Sequence, residues 1–470
     1  MPTLLIILHI FFVSFTDKPE KTVPALSPRA VEQRAKWHIP TDGMDYPVSS
    51  MYLNQVREAG AKVHHVSRWF NGATCEMDSA TAVKVSRLSF VTSVEMTRDN
   101  SDPIYGPKKR RILGADLFVE RTQTALLTDA QLATYNLHPL HEAGFEGQGI
   151  LMAVCDGGFY AADTMSCFRQ KELEMGHFDF TDDRDDFYGS TGLHGAECLS
   201  TISALTDEYY GSAPKAQYYL MRAEEVVTES PKEMDNLVAA LEKADSLGVN
   251  IFSVSLGYAL FDNAEWSIPT SALDGKTARC SRAATIAARK GMLVCVAAGN
   301  EGNDASWRTM FAPADADSIL TVGAVNTDSL IAGFSSWGPS ADGRIKPEVC
   351  AVGWQTTLVL PDGRIVNGNG TSFATPLLAG LAACLWSALP DENAMQIRER
   401  IIRSADRYTT PDSIQYGYGI PDAWKAYTMK LMGIEEIQGE DVRCTKVLRG
   451  GMIMIRRGNK TYTITGQRMK

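Results

Sequence analysis

Four residues of this chain have types and settings that suit nucleophilic catalysis: Asp156, His194, Asn300 and Ser372. Ser372 stands in GNGTSFATPLLAGLAACLW, Gly368 to Trp386, where small polar residues give way to a run rich in Ala and Leu. The run predicts a buried helix with the Thr371-Ser372 pair at its mouth. Two readings fit that pair. Ser and Thr cap helix starts by accepting from free backbone N–H groups. A serine there also sits where backbone donors and the helix dipole favour developing negative charge. It becomes a nucleophile if a base and an oxyanion donor come to it.

All eight histidines precede Ser372. The order Ser, acid, His of α/β-hydrolases is therefore excluded if Ser372 is the nucleophile, and Gly370 to Ala374 lacks the last glycine of G-x-S-x-G. His194 stands in STGLHGAECLSTISAL, ahead of a helical pattern. It reads as a general base or as a residue packed at a helix start. Asp156 ends the apolar run of ILMAVCDGGF. It can orient an imidazole from the Nδ1 side, or simply start a turn. Asn300, in MLVCVAAGNEGN, can donate its amide to an oxyanion, or form a turn with glycine. Ser255-Leu256-Gly257 ends another run and can offer a backbone edge to an extended peptide. Together they give the chain order Asp, His, Ser of subtilisin-type enzymes.

The elements that must hold these residues follow from patterning. The chain has 470 residues, 44% hydrophobic and 22% charged, with a formal net charge of -10. That composition predicts a globular protein of more than one domain and argues against nucleic acid as a partner. GILMAVCD, AQYYLMR, VNIFSVSLG, MLVCVAAGN and ILTVGAV read as buried strands. PKEMDNLVAALEKADSLG and KTARCSRAATIAARKG read as helices between them, each ending at glycine. The alternation predicts an α/β domain over residues 126–428, with a mostly parallel central sheet between helical layers. Its site should lie outside the carboxyl ends of the strands.

Residues 11–98 form a small α+β unit, with a helix around Val48 to Ala59 and a strand-like VKVSRLSFVTSVEMT. Residues 99–125 contain SDPIYGPKKRR and read as an exposed linker open to processing. Residues 429–470 have the alternation and glycine turns of a β tail. The apolar run Leu4 to Phe15, overlapping residues 1–14, reads as a signal segment or as the first strand. No other stretch is expected to be long and apolar enough to cross a membrane. Nine cysteines, an odd number and without a C-x-x-C pair, leave room for a disulfide or two but not for the usual zinc spacing.

These motifs resemble the subtilisin-like serine proteases, or subtilases. GTSFATP (Gly370 to Pro376), AAGNEG (Ala297 to Gly302), SVSLG (Ser253 to Gly257), FSSWGP, GRIKPEVCAVG and YGYGIPDAW carry the likeness. The resemblance implies a secreted serine endopeptidase with catalytic Asp156, His194 and Ser372 and oxyanion residue Asn300. It implies substrate-binding residues Ser255, Leu256, Gly257, Ala298 and Gly299, and polypeptide substrates. Glu301 falls beside the implied specificity pocket, or is a solvated loop residue. The first unit, best in DYPVSSMYLNQVREAGAKVHHVSRWFN, resembles a subtilase propeptide of secreted Bacteroidetes-type members, which would act as an intramolecular inhibitor. The tail resembles their sorting-type segments. No cofactor is needed for the chemistry. Calcium is frequent in the family, but no ligand set is assignable here. Two positions depart from the family pattern: Gly157 follows Asp156, and Ala196 follows His194-Gly195. Two other classes compete with the protease, an inactive subtilase-fold binding protein and a hydrolase of non-peptide esters.

Overall fold

Alternating apolar runs and amphipathic helices place Asp156, Ser255 and Asn300 at or just past the carboxyl ends of interior strands of one sheet, and His194 and Ser372 at helix starts. The computed structural model describes residues 7–20, 24–100, 126–168, 170–181, 186–189, 192–225 and 228–430. It also describes strand segments between 444 and 469. The N-terminal unit is a four-stranded antiparallel sheet in the order β2-β3-β1-β4, from β1 (His9–Phe15), β2 (Lys62–Ser67), β3 (Gly72–Met77) and β4 (Val91–Arg98). Helices α1 (Pro28–Lys36), α2 (Ser50–Glu58) and α3 (Ser79–Ser86) accompany it. FFVSF is thus a central strand, with Phe11, Val13 and Phe15 in the unit's own core.

The strand-like reading of VKVSRLSFVTSVEMT holds only from Val91. Its first four residues belong to α3, because Asp78 caps that helix through the Thr81 N–H at 2.6 Å. An N-cap carboxylate outweighed the strand preference of Val83 and Val85.

The larger sheet has seven strands: β5 (Leu151–Asp156), β6 (Glu174–Asp179), β7 (Gln217–Arg222), β8 (Ile251–Val254), β9 (Leu293–Ala297), β10 (Leu320–Val325) and β11 (Val349–Val352). Their order is β11-β10-β9-β8-β5-β7-β6, with every pairing parallel. Along β5, Met152 and Val154 face one core, while Leu151, Ala153 and Cys155 face the other. The first core is covered by α4 (His194–Ser203), α7 (Thr371–Ala388) and α8 (Ala394–Ser404), the second by α5 (Lys232–Leu247) and α6 (Arg279–Arg289). Gly248 ends α5 in the left-handed region at φ 73°, a conformation glycine takes at least cost. The chain turns back at β5, between β7 and β8. Such a switch point opens a crevice at the carboxyl ends.

A hairpin, β12 (Thr356–Val359) and β13 (Ile365–Gly368), leads into α7. The expectation that no second stretch suits a membrane is corrected by α7. Its 18 residues average a hydropathy of 1.3, but 89% of it lies buried inside the protein. It is the core helix between sheet and surface. The tail forms its own unit, residues 430–470, with β14 (Cys444–Arg449), β15 (Met452–Arg457), β16 (Lys460–Thr463) and β17 (Arg468–Met469) in an antiparallel meander. The eight cysteines whose side chains are described are all buried free thiols, so the disulfides allowed by the count are not formed among them.

Candidate functional site

Ser372 enters through a glycine and a proline. Gly370, not a hydroxyl side chain, is the N-cap of α7, with φ 155° and no side-chain cap bond. The capping reading of the Thr-Ser pair therefore fails, and both side chains are released for other partners. Pro376 lies inside the helix. It has no N–H, so the carbonyl of Ser372, four residues earlier, loses its helical donor. Two side chains supply replacements. Ser255 Oγ donates to Ser372 O at 2.8 Å and Cys198 Sγ at 3.3 Å. The end of β8 and the middle of α4 are thereby tied to the backbone of the serine.

Asp156 and His194 meet directly. His194 Nδ1 lies 2.8 Å from Asp156 Oδ1, with side-chain exposures of 14% and 1%. Gly195 makes this approach attainable: a β-carbon there would stand 2.4 Å from Gly158 O and 2.9 Å from Asp156 Cβ. Asp156 Oδ1 also accepts the Gly157 N–H at 2.7 Å, while Oδ2 is buried without a hydrogen bond among the described residues. Burial works against a charged His194, but the Asp156 carboxylate outweighs it, and the imidazole is raised well above 6.5. Cys198 Sγ lies 3.8 and 3.9 Å from the two ring nitrogens. Near-equal distances set the sulfur against the ring rather than along one N–H direction. Burial pushes this thiol up to about 11, so it is neutral near pH 7. Asp156, His194 and Cys198 could by spacing hold a metal. A protonated thiol and an Nδ1 already engaged by the carboxylate suit ion binding poorly.

Asn300 is held by the same helix start. Its Oδ1 accepts from Thr371 N and from Thr371 Oγ1, both at 2.9 Å. A backbone N–H can only donate, so this contact fixes which amide atom is oxygen. The Nδ2 donors must then point elsewhere. Thr371 Oγ1 in turn accepts the Gly299 N–H at 3.2 Å, which locks the loop after β9 to α7. Ala298 and Gly299 are buried, and Gly299 has φ 112°. Ser255, Leu256 and Gly257 follow β8, with Leu256 4% exposed. Glu301 is also buried, at 4%, with its N–H on Ser336 Oγ at 3.0 Å.

A sheet switch point with an Asp-His pair, a helix-borne serine and an adjoining Asn defines a hydrolase of the subtilisin class. Residues 147–419 match the Peptidase S8 domain, described as the subtilase family, and residues 10–111 match the Peptidase S8 propeptide domain of Bacteroidota. The chain belongs to the subtilase family, a family of serine endopeptidases. It is 30% identical to Subtilisin E of Bacillus subtilis over 284 residues, covering 60% of this chain and 66% of that protein. It is 30% identical to Subtilisin of Bacillus pumilus, covering 60% and 92%, and 27% identical to serine protease AprX of Bacillus subtilis, covering 65% and 73%. In fold it is similar to the crystal structure of MycP1 from Mycobacterium smegmatis, at TM-score 0.54 and 22% identity, covering 68% of this chain and 89% of that one.

Sequence reasoning missed Cys198, Thr371 and Pro376 as parts of the site. Pro376 was in plain view inside the predicted helix and signalled an unbonded carbonyl at Ser372. Cys198 stands one helical turn after His194, which puts both on one face of α4.

Proposed function

We propose that this chain is a secreted endopeptidase, made as a proenzyme, that cleaves peptide bonds through Asp156, His194 and Ser372. The Asp156–His194 hydrogen bond of 2.8 Å carries the reading. It holds Nδ1 as donor and leaves Nε2 to take the proton of Ser372 Oγ as that oxygen attacks the carbonyl. The imidazolium then gives the proton to the leaving amine. Asn300 Nδ2 and a backbone N–H at the start of α7 receive the oxyanion. The peptide extends along Ser255 to Gly257, with Ala298 and Gly299 on its other side. The N-terminal unit supports a masked precursor, since it packs on α5 and α6 of the catalytic domain. There Ser67 Oγ donates to Glu242 at 2.5 Å and Arg34 to Asp245 at 2.8 Å. Family membership and the propeptide domain support export to the cell envelope or beyond.

The test is labelling with a fluorophosphonate probe, the adduct located by mass spectrometry, on the full chain, on a form cleaved within 101–125, and on Ser372→Ala. Labelling at Ser372 only after cleavage is the expected result. Labelling in both forms would keep the triad and remove the masking. No label in either folded form would leave a binding protein.

A further inference from the structure

The segment between β9 and β10 sends one aromatic ring toward the place where the peptide is laid. Met310 and Ala312 are buried, and Phe311 between them is half-buried. Ala312 fastens the segment beside the exit of β8. Its carbonyl accepts the Tyr258 N–H at 2.7 Å, and its own N–H reaches Tyr258 O at 3.2 Å.

Two glycines show where the Phe311 side chain runs. A β-carbon on Gly257 would stand 2.8 Å from Phe311 Cβ, and one on Gly299 would stand 3.3 Å from Phe311 Cδ2. The side chain therefore crosses from the exit of β8 to the loop after β9, and the residue it meets on each side is glycine. Trp307 backs the ring, with centroids 5.7 Å apart and planes at 17°, and itself packs on the second core. The next loop holds this stack in place. Trp337 N–H donates to Arg308 O at 2.7 Å, and the Arg308 guanidinium lies over the Trp337 ring at 4.9 Å from its centroid. Beside Trp337, Ser336 Oγ would stand 2.6 Å from a β-carbon on Gly299, so the far side of that glycine is closed as well. A ring seated this closely keeps its position, since moving it would open voids on several sides.

The proposed oxyanion residue tells which substrate side chain comes here. Gly299 directly precedes Asn300, and Gly257 ends the stretch along which the peptide extends. The residue whose carbonyl is attacked must then place its own side chain between these two glycines, where the ring already stands.

We propose that Phe311 is the floor of the pocket for that side chain and limits it to Gly, Ala or Ser. The inference rests on the peptidase reading above and adds to it the class of bond cut, one that follows a small residue. A Leu or Phe side chain would need room that the ring occupies. A single methylene gained or lost in an apolar pocket already changes kcat/KM by about 10- to 200-fold.

The test uses the full chain after processing, with active enzyme counted by fluorophosphonate labelling at Ser372. The substrates are quenched peptides that differ only in carrying Gly, Ala, Ser, Leu or Phe before the scissile bond, with the cut located by mass spectrometry. For the native chain, kcat/KM with Ala should exceed that with Phe by at least about tenfold. Phe311→Ala should lower this ratio by at least about tenfold, by admitting the larger side chain. Phe311→Leu, the milder truncation, should lower it by less, and it decides the matter if the alanine variant does not fold. Because the readout is a ratio, a uniform loss of activity cancels, and melting temperatures check that the variants fold. Labelling at Ser372 with Phe or Leu accepted as well as Ala overturns the pocket floor and leaves the peptidase standing. A preference for Ala that the folded variants leave unchanged also overturns it. Absence of labelling at Ser372 overturns the peptidase reading and the pocket with it.

Discussion

In the proposed mechanism Asn300 does two jobs with one amide, and a pair of substitutions separates them. Its Oδ1 takes both donors of Thr371, and its Nδ2 is left for an oxyanion. Asn300→Ala should lower kcat by about 10²–10³-fold, the usual worth of one oxyanion donor. It should also cost about 1–3 kcal/mol of stability, because the buried Thr371 N–H loses its acceptor. Asn300→Asp keeps the acceptor and removes the donor, so kcat should fall with a smaller drop in melting temperature. Steady-state kinetics and thermal denaturation of both variants check this. In the same proposed mechanism His194 sets the pH dependence. Burial opposes its charge, Asp156 overrides that, and the folded value lies well above 6.5. The base must be neutral to act, so kcat/KM should climb with pH through a midpoint above 6.5, and Asp156→Asn should move that midpoint down. The stability effect has the opposite sense. A raised histidine stabilises the fold fully below its unfolded value, and that contribution disappears as pH rises through the folded one. A pH–rate profile with its midpoint at or below 6.5 would contradict the arrangement.

At the scale of elements, the proposed catalytic arrangement is a matter of how closely α4 approaches the end of β5. Gly195 is the contact point, with its N–H on Gly158 O at 2.8 Å. Gly195→Ala would force a β-carbon to within 2.4 Å of that oxygen. The start of α4 must then shift, so melting temperature and kcat should fall together, with His194 displaced from Asp156. Circular dichroism melts and turnover of one peptide check it. The same elements show what the sequence could and could not reveal. β5, β7, β8, β9 and β10 were legible because strands buried on both faces read as continuous apolar runs. β6 was not: EMGHFD is an edge strand, half-buried or exposed along its length, and carries no apolar pattern. α5 and α6 were legible from their period and terminal glycines. The candidate site residues could be nominated from strand ends and glycines, but their partners could not. Glu224 beside Gly157, and Ser255 on the carbonyl of Ser372, are contacts between elements remote in sequence, which no spacing encodes.

At the scale of the whole molecule, the N-terminal unit is held to the catalytic domain by ion pairs that are mostly buried. Arg68 pairs with Asp245 at 2.5 Å, and Arg34 bridges Asp45 at 2.7 Å and Asp245 at 2.8 Å. Lys290 closes the group by meeting Asp45 at 2.8 Å. Glu242, buried, takes Ser67 Oγ at 2.5 Å and the N–H groups of Arg68 and Trp69 at 2.9 and 3.2 Å. A buried pair adds little net stability when complete, but breaking it strands a charge and costs about 3–5 kcal/mol. Arg68→Ala would leave Asp245, whose side chain is 3% exposed, with Arg34 alone and would take the neighbouring cation from buried Glu242. The severed N-terminal unit should then inhibit the processed enzyme at least ~100-fold more weakly. Lys36→Ala offers the contrast. It removes a pair with Asp391 across the same boundary, but those side chains are 47% and 97% exposed, and such pairs contribute about 0–1 kcal/mol. Inhibition constants for the two variants against one peptide substrate decide the matter. If Arg68→Ala inhibits as well as Lys36→Ala does, the charges only set the register. Trp69, buried in the catalytic domain's second core, would then be the anchor.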